Sequence, residues 1–327
     1  MSVQTADPAQ IIGTGARANP MRGIVFKLIA TFFFSGMVVA LRWMGDRIPL
    51  GEAVFARAFI GAIPVVVLML WTGTLKKAMR TQNPMGHLTR SVIGVTAMFL
   101  TFAAYKGLPI ADAVAIGYTM PFFVIILAAV LLGESVHLFR WVAVGIGFLG
   151  VVVAQGPHFL AEGIGGGNLM ANATLIAAGC GLLGAVMSAG ASVTVSVLTR
   201  TENPNTVVFY FTMFSALAAL MTAPFGWVMP TAMDLAVMLV CGLLGGLGQI
   251  FMTMAYRHAD ASTIAPFEYS SIGWTVIAGI LVFEELPTPL GIAGVMIIIG
   301  AGLFVVGRER KSITAPVART TPSLAKS

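Results

Sequence analysis

Residues 110–133, IADAVAIGYTMPFFVIILAAVLLG, carry one charge, Asp112, near their start and run without another to Gly133. About 20 consecutive apolar residues is the length an α-helix needs to cross a bilayer core. A helix also satisfies its own backbone polar groups in lipid. The same pattern recurs on both sides of this stretch. The expected spans are 23–44, 50–71, 88–106, 110–133, 138–156, 170–198, 205–225, 233–256, 261–283 and 288–307. The 327 residues are 57% hydrophobic and 10% charged, with a mean hydropathy of +0.91. An average soluble domain carries about 25% charged residues. The expected fold class is therefore all-α, a polytopic membrane protein of ten transmembrane helices.

The first 22 residues are polar, contain Pro8, Gly13, Gly15 and Pro20, and have no apolar core of a signal peptide. They read as a disordered cytoplasmic tail rather than a cleaved leader. Residues 308–327 form a second polar tail. The connection at 157–169 holds Gly163, Gly165, Gly166 and Gly167 and reads as a flexible linker. The net charge is +6, but its placement points to insertion and not to nucleic acid. With the N-terminus inside, the cytoplasmic segments collect Arg17, Arg22, Lys27, Lys76, Lys77, Arg80, Arg90, Arg140, Arg200, Arg257 and Arg308. The opposite side keeps Arg42, Arg47 and Lys106. This positive-inside bias places both termini in the cytoplasm of a bacterial inner-membrane protein, as an even number of spans requires. Arg57 is left well inside a span.

Cys180 and Cys241 lie in apolar spans and read as small packing residues. His87, His137, His158 and His258 make no ligand pair at helical spacing, so no metal or cofactor is expected. HExxH, paired intramembrane aspartates, Gly-x-Ser-x-Gly and a Walker A sequence are all absent from the chain. An intramembrane enzyme, or a receptor that does not transport, remains the alternative class, and neither has a motif in its favour.

The chain divides near 160 into halves of five spans. Placing Ala104-Tyr105-Lys106 over Ala255-Tyr256-Arg257 brings Tyr118 onto Tyr269 and Glu134 onto Glu285 without a gap. An odd number of spans per half inserts the halves in opposite directions, an architecture that recurs in secondary transporters. Polar stripes add a second signal. Thr31, Ser35 and Arg42 share a face of the first span. Ser188, Ser192 and Ser196 do so in the sixth, Gln249, Thr253 and Tyr256 in the eighth, and Glu268, Ser271 and Thr275 in the ninth. The fifth and tenth spans have almost no polar residues. A polar cavity with two peripheral helices fits this pattern, whereas helix back-bonding and interhelical hydrogen bonds explain any single stripe.

With these features the chain resembles the drug/metabolite transporter superfamily, in its EamA-type branch, over residues 23–307. The resemblance rests on the ten spans in two halves and on Ala103-Ala104-Tyr105-Lys106-Gly107-Leu108-Pro109. That stretch leads into a span with Pro121 and ends at Gly133-Glu134. Ala255-Tyr256-Arg257, Pro266-Phe267-Glu268-Tyr269 and Glu284-Glu285 echo it in the second half. Arg57, in Phe55-Ala56-Arg57-Ala58-Phe59, matches an arginine common in the family's second span. The resemblance implies an inverted-repeat permease with a cavity lined by spans one to four and six to nine. Its members carry amino acids and derivatives, riboflavin-like vitamins, S-adenosylmethionine, sugars or drugs, inward or outward. The implied partners are a small-molecule substrate and membrane lipid, with protons as a candidate coupling ion. No nucleic acid is implied, and the chain acts as a monomer or a homodimer.

Glu268 leads the candidate site residues. It lies about 10 Å into the ninth span at 1.5 Å per residue, just after Pro266, which cannot donate a backbone hydrogen bond. A carboxyl group there must face protein or water. It is suited to carrying a proton or meeting a substrate cation, and a structural hydrogen-bonded role is the alternative. Arg57 has several roles open: binding an anionic group, pairing with Glu268 or Glu52, or snorkelling to the interface. Gly117 with Pro121, and Pro266 with Gly273, interrupt corresponding spans, and such paired breaks point to a transporter's binding region. Tyr118, Tyr269 and Trp274 beside them could stack on a planar substrate. Gln249 and Ser188 contribute polar groups from their stripes. Glu134 and Glu285 end corresponding spans, where helix capping or gating is their expected role.

Overall fold

Prolines and short polar side chains set the helix boundaries in the computed structural model. It describes residues 19–44, 47–75, 80–107, 115–162, 172–283 and 289–314. The described elements are α1 (Pro20–Met44), α2 (Leu50–Trp71), α3 (Pro84–Gly107), α4 (Met120–Leu132), α5 (Leu138–Glu162), α6 (Asn172–Thr201), α7 (Pro204–Leu220) and α8 (Ala232–His258). They continue with a helical turn at Ala261–Ile264, a 3-10 stretch at Ala265–Tyr269, α9 (Ser270–Phe283) and α10 (Pro289–Thr314). Among the described residues there is no strand.

Pro20, Pro84, Pro204 and Pro289 begin helices, where the missing N–H removes no bond. Asn203 caps α7 through the Asn205 amide at 2.9 Å. Thr231 and Asp234 form a capping box at the start of α8. Gly133 closes α4 in the left-handed region at φ 63. α5 runs on to Glu162 instead of ending at 156, so residues 157–162 of the expected linker are helical. Its glycine run at 163–167, the tails 1–18 and 315–327, Asp112 and Glu284–Glu285 lie outside the described residues. So do the side chains of Arg42, Tyr105, Lys106 and Thr275.

Six segments among the described residues are long and apolar enough to cross a membrane: Pro20–Leu41, Leu50–Trp71, Ala115–Leu132, Ile176–Thr201, Ala232–His258 and Pro289–Arg308. Leu138–Val153 and Pro204–Leu220 are shorter apolar helices. Large apolar side chains face outward along them, including Phe59, Leu70, Val130, Leu239, Met296 and Leu303. An apolar exterior over polar interior stripes is what a bilayer solvent requires. The chain is a polytopic membrane protein, helical with no strand among the described residues.

The packing is paired. α1 lies along α8 and α3 along α6, while α5 and α10 pack on each other. α4 contacts α6 as α9 contacts α1. Each of these contacts maps onto another, or onto itself, when every helix is exchanged for the one five places away. The crossing of α2 and α8 is close enough to need glycine on both sides. A Cβ added at Gly246 would sit 2.8 Å from the Gly61 Cα, well inside van der Waals contact.

Polar contacts tie one end of the bundle together. The Glu202 carboxylate accepts hydrogen bonds from the Thr81 hydroxyl at 2.6 Å and from the Gln82 and Asn83 amides at 2.8 and 3.1 Å. The His87 ring is 3.8 Å away. Arg257 donates to the Thr199 and Glu202 carbonyls at 2.6 and 3.2 Å, capping the end of α6. Burial raises the Glu202 carboxyl, but its hydrogen bonds and the His87 charge outweigh that and hold it below its ordinary value. A depressed folded value means that the contact stabilises the fold above the unfolded pKa, about 4.3. That stability is lost as pH falls through the folded value. Glu202→Gln should lower thermal stability by roughly 1–2 kcal/mol at neutral pH, with a smaller difference in acid. Melting curves of both proteins across pH check this, and a gap that widens in acid contradicts it.

Candidate functional site

Pro266 breaks the chain between α8 and α9, and the break is held from outside. The Glu134 carboxylate accepts from the Ala261 and Ser262 amides at 3.3 and 3.2 Å and from the Ser262 hydroxyl at 2.7 Å. Arg140 donates to the same hydroxyl at 2.7 Å. The expected capping role of Glu134 is thus met, on a turn from the other half of the chain. The 3-10 stretch that follows turns Glu268 toward α1, where its carboxylate pairs with the Lys27 ammonium.

A polar seam continues from this pair. The Thr31 and Ser270 hydroxyls are 2.8 Å apart, and Ser35 donates to the Ser271 carbonyl at 3.2 Å. The Trp274 indole donates to Thr31 at 3.3 Å. The Tyr118 hydroxyl meets Ser271 at 3.0 Å. Lys27, Thr31 and Ser35 stand four residues apart, so one face of α1 carries the seam. The Lys27 ammonium lies 5.8 Å from the centroid of the buried Tyr256 ring, whose hydroxyl is bonded to Ser192 on α6.

The first half has its own break. Residues 115–117 are helical, Tyr118 and Thr119 form a turn, and α4 starts at Met120. The Tyr118 and Tyr269 rings stand 6.0 Å apart between centroids. The structure thus gathers Glu268, Tyr118, Tyr269 and Trp274 at one place, with both interruptions beside them. Pro121 and Pro266 are buried. Gly117 borders open space, and Gly273 faces Val295 of α10.

Arg57 and Gln249 belong to a second locus. They line a cavity of about 20 Å³ with Met98, Phe211 and Ser215. Its size suits one or two water molecules. The Arg57 guanidinium donates to the Met98 sulfur at 3.3 Å. The two pairings open to Arg57 in the sequence do not form, because Lys27 takes Glu268 and Glu52 accepts from the Val228 amide at 3.1 Å. Ser188 is partly buried on α6, one turn from Ser192.

Three basic residues counted with the cytoplasmic loops are inside the bundle. Lys27, Arg90 and Arg140 are 1%, 4% and 9% exposed. Each enters a helix within two turns of its start and finds an interior contact: Glu268, the Phe211 ring and Ser262 respectively. Lys27 was detectable in the sequence, because it falls four residues before Thr31 on the polar face already marked by Thr31 and Ser35. Arg90 has no such signal. A buried ion pair joining a helix to a broken segment can exchange its internal partner for a ligand's charge or a proton when the segment moves.

The profile of the EamA-like transporter family matches residues 21–155 and 175–307. The riboflavin transporter of Rhizobium johnstonii is 30% identical, over 93% of this chain and 98% of its own. The S-adenosylmethionine uptake transporter of Rickettsia prowazekii is 26% identical, over 90% and 96%. The pseudopaline exporter of Pseudomonas aeruginosa is 31% identical, over 88% and 97%. A solved crystal structure with 19% identity superposes at a TM-score of 0.76, over 89% of this chain and 98% of that one, so the fold is shared. The broken helices, the buried seam and the two matched halves belong together: this chain is a member of the EamA-like transporter family.

Proposed function

We propose that the chain is a secondary transporter that carries a small organic metabolite across the bacterial inner membrane by alternating access. The observation that carries this reading is the pair of helix breaks at Tyr118 and at Ala265–Tyr269, meeting beside the Lys27–Glu268 pair. Irregular backbone at membrane depth is tolerated where it is buried in protein or lines a cavity, and transporter sites are built from such helices.

The architecture proposed is ten transmembrane helices in two inverted repeats, 23–156 and 170–307, with α5 running on to Glu162 and a linker within 163–169. The tails 1–22 and 308–327 are cytoplasmic. The two family matches and the paired helix contacts support the division. The inversion rests on five spans per half, and the termini rest on the basic-residue bias. The site comprises Glu268, Tyr118, Tyr269 and Trp274 around the seam, with Arg57, Gln249 and Ser188 farther along the interior. Glu268 is the proton-coupling residue in this scheme, exchanging Lys27 for a proton. The substrate class is a polar metabolite, with riboflavin-like vitamins and S-adenosylmethionine as candidates by the names of the relatives and amino-acid derivatives by the family resemblance. Among the described residues, no cluster favours an enzymatic reading.

The test is counterflow in proteoliposomes loaded with a bacterial metabolite extract, with solutes identified by mass. A defined solute should move with wild-type protein and not with empty liposomes. An imposed pH gradient should drive its accumulation. If no solute moves under any gradient, the transporter reading fails. Accumulation that ignores the pH gradient removes proton coupling alone.

A further inference from the structure

Two guanidinium groups lie inside the bundle with no carboxylate beside them among the described residues. Arg57 on α2 crosses the glycine face of α8, and its one hydrogen-bond partner there is the Met98 sulfur. Arg90 on α3 is 4% exposed, and its Nε and Nη1 have no hydrogen-bond partner. Its guanidinium carbon stands 4.0 Å from the centroid of the Phe211 ring.

The two belong to one locus. Arg90, Gly94 and Met98 are four residues apart on α3 and share a face. The Arg90 Nη1 occupies the space a Gly94 side chain would fill, which carries its charge one turn toward Met98 and Arg57. Phe211, under Arg90, lines the same cavity as Arg57 and Met98. The Arg57 charge acts on Arg90. Five described carboxylates are engaged elsewhere: Glu52 at Val228, Glu134 at Ser262, Glu202 at Thr81, Asp234 at Thr231 and Glu268 at Lys27. An arginine does not shed its proton in a protein. Burying one unpaired is strongly unfavourable, and a second nearby adds repulsion. Gly94 and Gly245 leave room for both side chains. Ser215 adds a buried hydroxyl without a partner to the same cavity wall.

We propose that Arg57 and Arg90 form an oxyanion-binding site, and that the transported solute bears a carboxylate or phosphate held there, with its planar or apolar part against Phe211 and Met98, which narrows the candidates to those that carry such a group. Gln249 and Ser215 supply further donors. This names the substrate class and rests on the transporter reading, although binding itself does not. Arg57, Arg90, Phe211 and Gln249 come from α2, α3, α7 and α8. An anion that neutralises both arginines therefore acts on four helices at once. The present cavity is too small for such a solute, so these helices part to admit it.

Heat stabilisation of the purified full-length protein tests the site without transport. The probes are benzoate and phenyl phosphate, which share a ring and differ in the oxyanion, against sodium chloride at equal ionic strength and benzyl alcohol as the neutral control. Wild type should be stabilised by an anionic probe and not by benzyl alcohol. The stronger of the two anions identifies carboxylate or phosphate as the preferred group. Arg57→Gln and Arg90→Gln should each weaken the response roughly tenfold to a hundredfold, the worth of hydrogen bonds to a charged group. Arg57→Lys and Arg90→Lys should retain part of it. Without probe, Arg90→Gln should melt at or above the wild-type temperature, because one of two repelling charges is gone, whereas a purely structural arginine would lower it. No stabilisation of wild type beyond chloride, or an equal response in wild type and both glutamine variants, overturns the proposal. Binding without any counterflow would keep the anion site and sink the transporter reading instead.

Discussion

Glu268→Gln should cost the folded protein roughly 3–5 kcal/mol, the usual loss when one partner of a buried ion pair is removed, and it should abolish transport. The two partners are unequally placed. The Lys27 side chain is 2% exposed and that of Glu268 is 26% exposed. A glutamine at 268 leaves a buried ammonium enclosed by α1, α8 and the broken segment, without its counter-charge. Lys27→Met leaves the more exposed carboxylate, which water reaches or a proton neutralises. The lysine variant should therefore lose less stability than the glutamine variant. Lys27→Met with Glu268→Gln removes both charges and keeps the volume, so it should recover most of the lost stability. Transport should stay absent in the double variant. Thermal unfolding and proteoliposome counterflow on the three proteins check this. Recovery of transport along with stability would make the pair a structural pin.

Gly246→Val should also have a large effect. Its Cβ would lie 2.8 Å from the Gly61 Cα, and backbone on both sides leaves nothing flexible to yield. α2 and α8 must separate, at a cost of about 1–3 kcal/mol or more by the overpacking scale. α8 also carries Gln249, and α2 carries Arg57, so the separation displaces both from the cavity they line. Counterflow should fall to background. Gly179→Ala is the matched control, because a Cβ there meets nothing within 4 Å. It should be neutral or slightly stabilising, since alanine is the better helix former. Expression, melting temperature and counterflow for both variants decide this, and wild-type transport in Gly246→Val would remove the close crossing from the account.

The membrane class was legible because hydrophobic length is a property of each segment alone. The break at Pro266 was legible for the same reason: a missing N–H is local. Glu268 stood out because a carboxyl in an apolar span needs a reason to be there. Its partner was harder to find. Arg57 was the cation that looked deepest by position, whereas Lys27 sits seven residues from the start of α1 and resembled a loop charge. Burial depends on what surrounds a residue, and here α8 and the 3-10 stretch cover Lys27 from the side. Arg90 was misplaced for the same reason, since its enclosure depends on Phe211 from the other half of the chain. The stripes on α1, α6 and α8 pointed to a polar interior, but whether that interior was open or packed depends on helix separations of a few ångströms, which no spacing encodes.

Alternating access to the Lys27–Glu268 seam is the central claim, and thiol labelling at Ser271 tests it most directly. Ser271 bonds Tyr118 and stands three residues from Glu268. With Cys180 and Cys241 replaced by alanine, Ser271→Cys should react with a membrane-impermeant thiol reagent added from either side of the membrane. Adding Gly246→Val should bias or abolish labelling from one side. Labelling from one side alone, unchanged by transported solute and by Gly246→Val, would contradict the account and leave the seam a fixed crevice.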